Sequence, residues 1–336
     1  MPHILVAGKI HEDGIDLLKS TPGITFDLVN EVSLQSYAPL IGRADAVLIR
    51  TQPMPAAVIA DATRLQIVSR HGVGYDAVDV SALSARGIPL AIVGDVNSRS
   101  VAEHALMLML AAARCTVAHD IASRNGNWQV RNQFQTCELD GKGLLLIGFG
   151  RIGRRVGSLA QAFGMSVMAH DPYAEPRAFA EVGVEAVTDL ETALARADYI
   201  SLHVPASPNG PLLGPREFSL LKPTAIVVNT ARGELIDEVA LDEALRAGRL
   251  GAAAIDVLAD EPPRKDHPLL QNPRVTISPH SAGLTRECAA RMAVASVRNI
   301  LDYFAGTIDR RLLVNDAEIT ATREGARSVG LRPYGE

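Results

Sequence analysis

Cysteine and tryptophan are scarce in this sequence, which contains three cysteines and one tryptophan in 336 residues. The cysteines, Cys115, Cys137 and Cys288, stand far apart, with no Cys-x-x-Cys pair and no histidine at metal-ligand spacing. This pattern argues against a disulfide framework or a zinc motif and predicts a reduced protein with no metal.

An excess of positive charge and a long apolar run are also absent. The net charge of -5 and the pI near 6.0 predict no nucleic-acid partner and no anionic membrane partner. The N-terminal MPHILVAGKI lacks the basic and apolar regions of a signal peptide, and the apolar run Ala105–Ala113 is shorter than a bilayer requires. We therefore expect a cytoplasmic protein.

The length of 336 residues suggests two domains, and 47% hydrophobic with 21% charged residues is typical of a globular α/β protein. Up to about residue 98, short apolar runs alternate with helical patterns, which predicts βαβ units and a mostly parallel sheet. The predicted strands are Ile4–Ala7, Ile24–Val29, Ala46–Ile49, Leu65–Ser69 and Ile88–Val93. This half carries no glycine fingerprint for a nucleotide, so it is the candidate substrate domain.

A glycine fingerprint follows the apolar run Leu144–Ile147. Gly148, Gly150 and Gly153 have G-x-G-x-x-G spacing, which suits a tight turn, backbone approach to a pyrophosphate and close helix–strand packing. A helix is predicted to follow. Its buried face should contain Ile152, Val156, Leu159, Ala160 and Phe163.

A second apolar run, Met165–Ala169, leads to Asp171, eighteen residues beyond Gly153. An acidic residue at this position hydrogen-bonds a ribose 2′-OH and repels a 2′-phosphate, which favours NAD over NADP. The alternative is that Asp171, next to Pro172, only opens a turn.

Between the two halves, Ser100 and Glu103 form a capping-box pattern in front of an apolar helix that we expect to link the domains. The polar stretch Thr116–Leu139 follows, with the single tryptophan, Trp128. It predicts an arm that reaches another subunit, or alternatively a loop folded on its own subunit.

Later elements complete the second sheet. The predicted strands are Tyr199–Val204, Ala225–Asn229, Ala252–Val257 and Val275–Ser278, and a helix Asp237–Ala247 ends before Gly248. A final helix, Thr285–Phe304, is placed to return to the first domain. The polar tail from Ala305 is expected to be partly ordered at best.

Polar side chains follow three successive strands of the second half. Arg232, Glu261 and His280 should meet at the carboxyl edge of the sheet, where open α/β proteins bind ligands. Arginine can hold a carboxylate bidentately, histidine can transfer a proton near neutral pH, and a carboxylate can orient that histidine. The alternatives are a surface cation, an exposed acidic loop and a structural histidine.

The sequence resembles the D-2-hydroxyacid dehydrogenase family, in particular its phosphoglycerate dehydrogenase and hydroxypyruvate or glyoxylate reductase branch. The matching stretches are RHGVGYDAVD, SVAEHAL, IGFGRIGRRV, SLHVPASP, NTARGELID, the Asp-Val and Glu-Pro of residues 256–262, and SPHSAG. The resemblance implies that Arg232, Glu261 and His280 are catalytic. It implies that Val73 and Gly74 bind the substrate carboxylate. It also implies cofactor contacts from Gly148, Gly150, Arg151, Ile152, Gly153, Asp171, His203, Val204, Pro205, Thr230, Ala231, Asp256, Ala282 and Gly283.

The resemblance further implies two doubly wound parallel-sheet domains. One is a flavodoxin-like substrate domain formed by residues 1–98 and 285–336, and the other is a Rossmann NAD-binding domain of residues 99–284. A dimerisation arm at about 105–140 implies a homodimer. The sequence ends shortly after the last family helix, so serine feedback through a C-terminal regulatory domain is not expected. Glutamate at 261, where formate dehydrogenases carry glutamine, argues against formate as substrate.

The sequence therefore predicts an NAD-dependent dehydrogenase for a small anionic 2-oxo or 2-hydroxy acid, of the 3-phosphohydroxypyruvate, hydroxypyruvate, glyoxylate or sulfopyruvate type. Arg50 and Arg70, just past two strands, either bind a second anionic group of the substrate or are ordinary surface arginines. Two alternatives stay open: oxidation of an inorganic anion such as phosphite, and a dinucleotide-sensing, corepressor-like binding protein.

Overall fold

The computed structural model describes residues 1–321 of the chain. The chain divides into two compact units, the first formed by Met1–Asn97 and Arg286–Glu336 and the second by Ser98–Thr285. The expected domain bounds differ from these by one residue at each junction. Each unit is built on its own parallel sheet.

The first unit contains a five-stranded parallel sheet in the order β2-β1-β3-β4-β5. Its strands are β1 (His3–Ala7), β2 (Thr25–Val29), β3 (Ala46–Ile49), β4 (Ile67–Arg70) and β5 (Leu90–Ala91). The helices between them are α1 (Glu12–Ser20), α2 (Leu34–Tyr37), a 3-10 helix (Ala38–Arg43), α3 (Ala56–Asp61) and α4 (Val80–Ala85). This is the flavodoxin-like order, as predicted.

Alternate residues of β1 enter two separate cores. Leu5 packs with the residues of α3 and α4, whereas Ile4 and Val6 pack on the opposite face, against α1. Because successive side chains of a strand point to opposite faces, a strand buried on both sides is apolar throughout. This explains the unbroken apolar runs in the sequence.

The second unit contains a seven-stranded parallel sheet in the order β12-β11-β10-β9-β6-β7-β8. It opens with α5 (Ser98–Ala113), α6 (Thr116–Arg124) and a 3-10 helix (Trp128–Gln133). Its strands are β6 (Gly143–Ile147), β7 (Ser166–His170), β8 (Glu185–Ala186), β9 (Tyr199–Leu202), β10 (Ile226–Asn229), β11 (Ala252–Ile255) and β12 (Val275–Ile277). The helices between them are α7 (Arg151–Ala162), α8 (Pro176–Val182), α9 (Leu190–Arg196), α10 (Pro215–Leu220) and α11 (Glu238–Arg246), with 3-10 helices at Gly233–Leu235 and Pro268–Gln271.

From β6 the strands are added on one side as far as β8, and β9 then starts the other side of β6. The boundary between β6 and β9 is the switch point of a Rossmann fold. The fold class expected for both units is thus confirmed. Ligands of such sheets bind at the carboxyl ends of the strands near the switch point.

Two local expectations for the second unit are wrong. The α5 helix begins at Ser98 rather than after Ser100, and the Ser98 hydroxyl accepts a hydrogen bond from Arg155 Nε at 2.9 Å. Phe163 is 44% exposed and lies just after the last residue of α7, whose buried residues are Gly153, Val156, Gly157 and Ala160.

Three helices of the second unit, α8, α9 and α10, are missing from the sequence interpretation. Pro176 and Pro215 occupy the first turns of α8 and α10, and the Asp189 side chain accepts from the Glu191 N–H at the start of α9. Proline in the first turn and aspartate at the N-cap are helix-start signals. These signals were available in the sequence.

The last long helix, α12 (Arg286–Phe304), belongs to the first unit, where Ala293, Val297 and Ile300 pack in the core that contains Ile4 and Val6. The segment after it is more ordered than expected. Leu313 bridges to Ala91 of β5, and the buried Asn315 side chain accepts from Leu90 N at 2.9 Å and donates to Ile88 O at 3.0 Å. The rest of the predicted tail, 322–336, lies outside the described residues.

No single helix among residues 1–321 combines the length and the apolar composition needed to cross a bilayer. The pair α5 and α6 reaches both only when counted together, and the two helices meet at a bend of 57°. Most of the apolar side chains of α5 pack in the core of the second unit.

We expect Asn315→Ala to loosen the edge of the first sheet. The substitution leaves the buried Leu90 N–H and Ile88 carbonyl without their side-chain partner, which costs about 1–3 kcal/mol. Hydrogen–deuterium exchange of a peptide covering residues 88–93 should accelerate by at least about tenfold. Asn30→Ala, at an exposed position of the same unit, is the control. Equal exchange in both variants would contradict the prediction.

Candidate active site

The glycine turn after β6 leaves one open face. Gly148 has a φ of +97°, and a Cβ there would lie 2.5 Å from His203 O, while a Cβ on Gly153 would lie 2.2 Å from Gly148 O. A Cβ on Gly150, the N-cap of α7, would meet nothing within 4 Å. Two glycines are therefore required by the protein's own packing, and the third leaves room at a helix N-terminus. This cradle fits the pyrophosphate of a dinucleotide.

Asp171 follows β7 and binds the glycine turn directly. Its carboxylate accepts from Phe149 N at 2.8 Å and from Tyr173 N at 2.9 Å. It also lines an open cavity of about 400 Å³ together with Gly150, Arg154 and other residues. Asp171 therefore has the contacts of a turn-forming aspartate, and its carboxylate also lies at the cavity beside the glycine turn, where a ribose-binding residue is expected.

His203 follows β9 and lies against Gly148. Its Nε2 is 2.9 Å from Ser201 Oγ, and burial lowers the pKa of the imidazole to about 3. The ring is therefore neutral at neutral pH. Val204 and Pro205 continue this segment, and Arg151 and Ile152 begin α7.

The loop after β10 carries Arg232 and is fixed by the Asn229 side chain. Asn229 Oδ1 accepts from Ala231 N at 3.0 Å, and Nδ2 donates to Arg232 O at 2.8 Å. The next residue, Gly233, permits a tight contact, since a Cβ there would lie 2.0 Å from the carbonyl carbon of Leu258. The Arg232 loop therefore packs against the segment that leads to Glu261.

The Thr230 hydroxyl in this loop is buried and has no hydrogen-bond partner within the described part of the protein. A buried hydroxyl is normally hydrogen-bonded. Its position at the carboxyl end of β10, with the open face at Gly150, fits a bound dinucleotide.

Glu261 and His280 are in direct contact, with His280 Nδ1 2.6 Å from Glu261 Oε2. The other carboxylate oxygen of Glu261 accepts from Leu258 N at 3.0 Å. Burial raises the pKa of Glu261, but the hydrogen bonds from His280 and Leu258 outweigh it and lower the pKa. Because Nδ1 is engaged by the carboxylate, Nε2 is the ring nitrogen that can exchange a proton with a ligand.

The loop that carries His280 is wrapped around Asp256, which follows β11. One oxygen of Asp256 accepts from Ser278 Oγ at 2.6 Å and Ser281 N at 2.9 Å, and the other accepts from Ala282 N at 2.9 Å. Burial raises the pKa of Asp256, but these hydrogen bonds and His104 more than compensate, and the pKa is lowered. The carboxylate is thus ionised and fixes the residues on both sides of His280.

The other predicted substrate residues lie in the first unit. Arg50 follows β3 and donates to Lys9 O at 3.1 Å, and Arg70 ends β4 and donates to His71 O at 2.7 Å. Val73 packs beside Cys288 and Met292, and Gly74 is half-buried in the same loop. Substrate binding by these residues stays a prediction, as do the individual cofactor contacts, including those of Ala282 and Gly283.

One group among the described residues has metal-ligand spacing. The side chains of His11, Glu12 and Asp13 place ligand atoms within 4.8 Å of one another. His11 Nδ1 accepts from Asp13 N at 3.3 Å and serves as the N-cap of α1. A helix cap accounts for this group, and the expectation of a protein without a metal stays a prediction.

Residues 106–282 match the family model described as "D-isomer specific 2-hydroxyacid dehydrogenase, NAD binding domain". A D-3-phosphoglycerate dehydrogenase from Methanocaldococcus jannaschii is 37% identical over 336 residues, 99% of this chain and 62% of that protein. The chain therefore spans less than two thirds of this relative's length.

Solved structures agree with this match. A Thermus thermophilus protein shares 32% identity and a TM-score of 0.86, with 93% of this chain and 99% of that chain covered. An NADPH-dependent glyoxylate/hydroxypyruvate reductase from Sinorhizobium meliloti in complex with citrate shares 27% identity and a TM-score of 0.81, with 94% and 98% covered. The chain belongs to the D-isomer specific 2-hydroxyacid dehydrogenase family, and its second unit contains the NAD-binding domain of that family.

Proposed function

We propose that this chain is an NAD-dependent D-2-hydroxyacid dehydrogenase that interconverts a small 2-oxo acid and its 2-hydroxy acid. The observation that carries the proposal is the 2.6 Å contact between His280 Nδ1 and Glu261 Oε2 at the carboxyl edge of a Rossmann sheet. A histidine oriented by a carboxylate is suited to proton transfer. Family membership and the cradle at Gly150 support the cofactor.

In the proposed mechanism, NADH held at the turn of Gly148, Gly150 and Gly153 would supply the hydride for reduction of the carbonyl carbon of the 2-oxo acid. His280 donates the proton to the carbonyl oxygen through Nε2 and recovers it in the reverse reaction. Glu261 orients the imidazole and stabilises its protonated form. Arg232 binds the substrate carboxylate and polarises the neighbouring carbonyl.

The identity of the substrate depends in this proposal on the first unit. Arg70 is paired with Ile49 in the register of β3 and β4, so Arg50 and Arg70 leave the same edge of two neighbouring strands. We assign to them a second anionic group of the substrate, a phosphate or a sulfonate, and to the backbone N–H groups of Val73 and Gly74 a part in binding its carboxylate.

A substrate panel tests the proposed function. Turnover of 3-phosphohydroxypyruvate, sulfopyruvate, hydroxypyruvate and glyoxylate is measured with NADH and with NADPH, and phosphite is offered with NAD. We expect one of the 2-oxo acids to react, with NADH preferred because of Asp171. No turnover of any 2-oxo acid would refute the proposal. Phosphite oxidation alone would favour the inorganic-anion alternative, and tight NADH binding without turnover would favour a dinucleotide sensor.

Replacement of His280 tests the proton-transfer role. His280→Asn should lower kcat by about 10²–10⁴-fold, the usual contribution of a general acid, while NADH still binds with its wild-type Kd. Steady-state kinetics and NADH fluorescence titration measure the two quantities. His11→Asn is the control, because asparagine also caps a helix N-terminus. Unchanged turnover in His280→Asn would reject the role.

Replacement of Glu261 tests the orienting charge. Hydrogen bonding keeps the pKa of Glu261 below its ordinary value of 4.5, so its charge is present at neutral pH and is lost only as the pH falls through the lowered value. In Glu261→Gln no charge favours the protonated imidazole. The pH at which 2-oxo acid reduction declines should therefore move to lower values in a pH–rate profile. An identical profile in the variant and the wild type would show that the charge has no such role.

A second copy of this chain is the proposed protein partner. Several apolar side chains in the predicted arm region are exposed: Met107 (44%), Val117 (52%), Ile121 (55%), Trp128 (64%) and Phe134 (88%). Met107 also lines an apolar hollow of about 390 Å³, together with other residues of α5, Thr116 and Leu159. Apolar exposure of this extent is typical of an interface.

Disruption of this surface should produce monomers. We expect Val117→Glu combined with Ile121→Glu to halve the mass measured by light scattering after gel filtration, because a buried unpaired charge opposes association. Val239→Glu, at a 68% exposed valine on α11, is the control. A dimeric double variant, or a monomeric wild type, would contradict the assignment of the interface to this surface.

A further inference from the structure

A series of hydrogen bonds within the second unit connects α5 to the loop that carries His280. His104, on α5, places Nε2 2.8 Å from Ser278 Oγ, and Ser278 Oγ lies 2.6 Å from Asp256 Oδ1. An ionised carboxylate can only accept, so the Ser278 hydroxyl donates to Asp256. The Ser278 oxygen then accepts from His104, which means that His104 Nε2 carries a proton.

Asp256 connects these hydrogen bonds to the loop that carries His280. Its side chain is fully buried, and its oxygens hold Ser278 on one side of His280 and Ser281 and Ala282 on the other. The His280 N–H also donates to the Asp256 carbonyl at 2.7 Å. The strand end and the loop are thereby joined by side-chain and backbone hydrogen bonds.

His280 depends on these hydrogen bonds because its backbone is strained. Its φ is +51°, in the left-handed region that side chains other than glycine rarely adopt. Such a conformation persists only where the surrounding contacts determine it. The ring must also stay within hydrogen-bond distance of Glu261, which lies on a different loop.

His104 is the outermost member of the network. Its side chain is 17% exposed, and Nε2 also lies 3.4 Å from Asp256 Oδ1. The charged groups of the network are Asp256 itself and Glu261, and the charge of Asp256 opposes, without reversing, the lowering of the Glu261 pKa by its hydrogen bonds. An imidazole N–H next to a buried carboxylate partly offsets its negative charge.

We infer that His104 is a positioning residue for proton transfer, acting through Ser278 and Asp256 to hold His280 against Glu261. The inference rests on the proposed function, in which His280 is the acid and base. It gives a role to the histidine of the SVAEHAL stretch, which the proposed mechanism does not use.

Two substitutions of His104 separate hydrogen bonding from packing. His104→Met keeps a side chain of similar size but removes the donor, whereas the amide of His104→Gln can donate from about the position of Nε2. We expect the methionine variant to lose about tenfold in kcat, in line with loss of one partly buried hydrogen bond, and to change the pH–rate profile. The glutamine variant should recover most of both, and both variants should bind NADH with the wild-type Kd.

A measurement without substrate keeps this test separate from that of the proposed function. Histidine labelled with ¹³C at Cε1 reports the titration of His280 by NMR, with His280→Asn used to assign its signal. The pH midpoint of that signal should move in His104→Met and return in His104→Gln. An unchanged signal and an unchanged pH–rate profile in the methionine variant would overturn the inference, as would equal impairment of the two variants.

Ser278→Ala interrupts the same chain of hydrogen bonds at its next member. It should shift the His280 signal in the same direction as His104→Met, and it decides the matter if the methionine variant does not fold. A wild-type signal in Ser278→Ala would overturn the inference. Full turnover in His280→Asn would refute the proposed function instead, and the NMR result would still report whether His104 positions the loop.

Discussion

The buried negative charge of Asp256 is the interaction on which the candidate site depends. A carboxylate removed from water costs several kcal/mol unless donors replace its hydration. Ser278, Ser281 and Ala282 supply these donors from a single short loop. The loop therefore has to wrap around the end of β11, and His280 is carried to its place with a φ of +51°. The hydrogen bonds to the buried carboxylate thus hold the loop in the one conformation that His280 requires.

Close backbone contacts position two other parts of the candidate site, the glycine turn and the loop of Arg232. Gly153 lies against Gly148, and Gly233 lies against Leu258, where any larger residue would collide with main-chain atoms. The first contact seats the start of α7 on the end of β6. The second places the loop of Arg232 beside the segment of Glu261. The glycines thus determine how closely the strand ends approach one another. The charged residues determine which chemistry the candidate site can support.

The sequence predicts the features that one strand or one helix contains. β3 was predicted within its observed bounds because both faces of the strand are buried and it reads as an unbroken apolar run. Arg232, Glu261 and His280 are candidates on the sequence alone because parallel strands bring their carboxyl ends to one edge, and their catalytic roles stay predictions. Local signals can also mislead, since the Ser100–Glu103 pattern resembles a capping box although α5 begins at Ser98.

Features that depend on contacts between distant parts of the chain were not predictable in this way. Nothing near His104 in the sequence indicates that it meets Ser278, 174 residues later. Asn315 is similar, because its role at the edge of β5 depends on a partner 225 residues away. Asn229 was missed although its partners are adjacent, since a side chain that fixes its own loop has no periodic signature.

Specificity and reaction chemistry are assigned to different units in the proposed function. The second unit contains the proton-transfer pair, which would serve any 2-oxo acid. In the first unit, burial and the nearby charges of Arg50 and Arg70 lower the pKa of His71 to about 4. That histidine is therefore uncharged at neutral pH and adds no positive charge beside the two guanidinium groups. A guanidinium pair favours a substrate with a second anionic group, so the proposed function assigns the choice among 2-oxo acids to Arg50 and Arg70 rather than to His280.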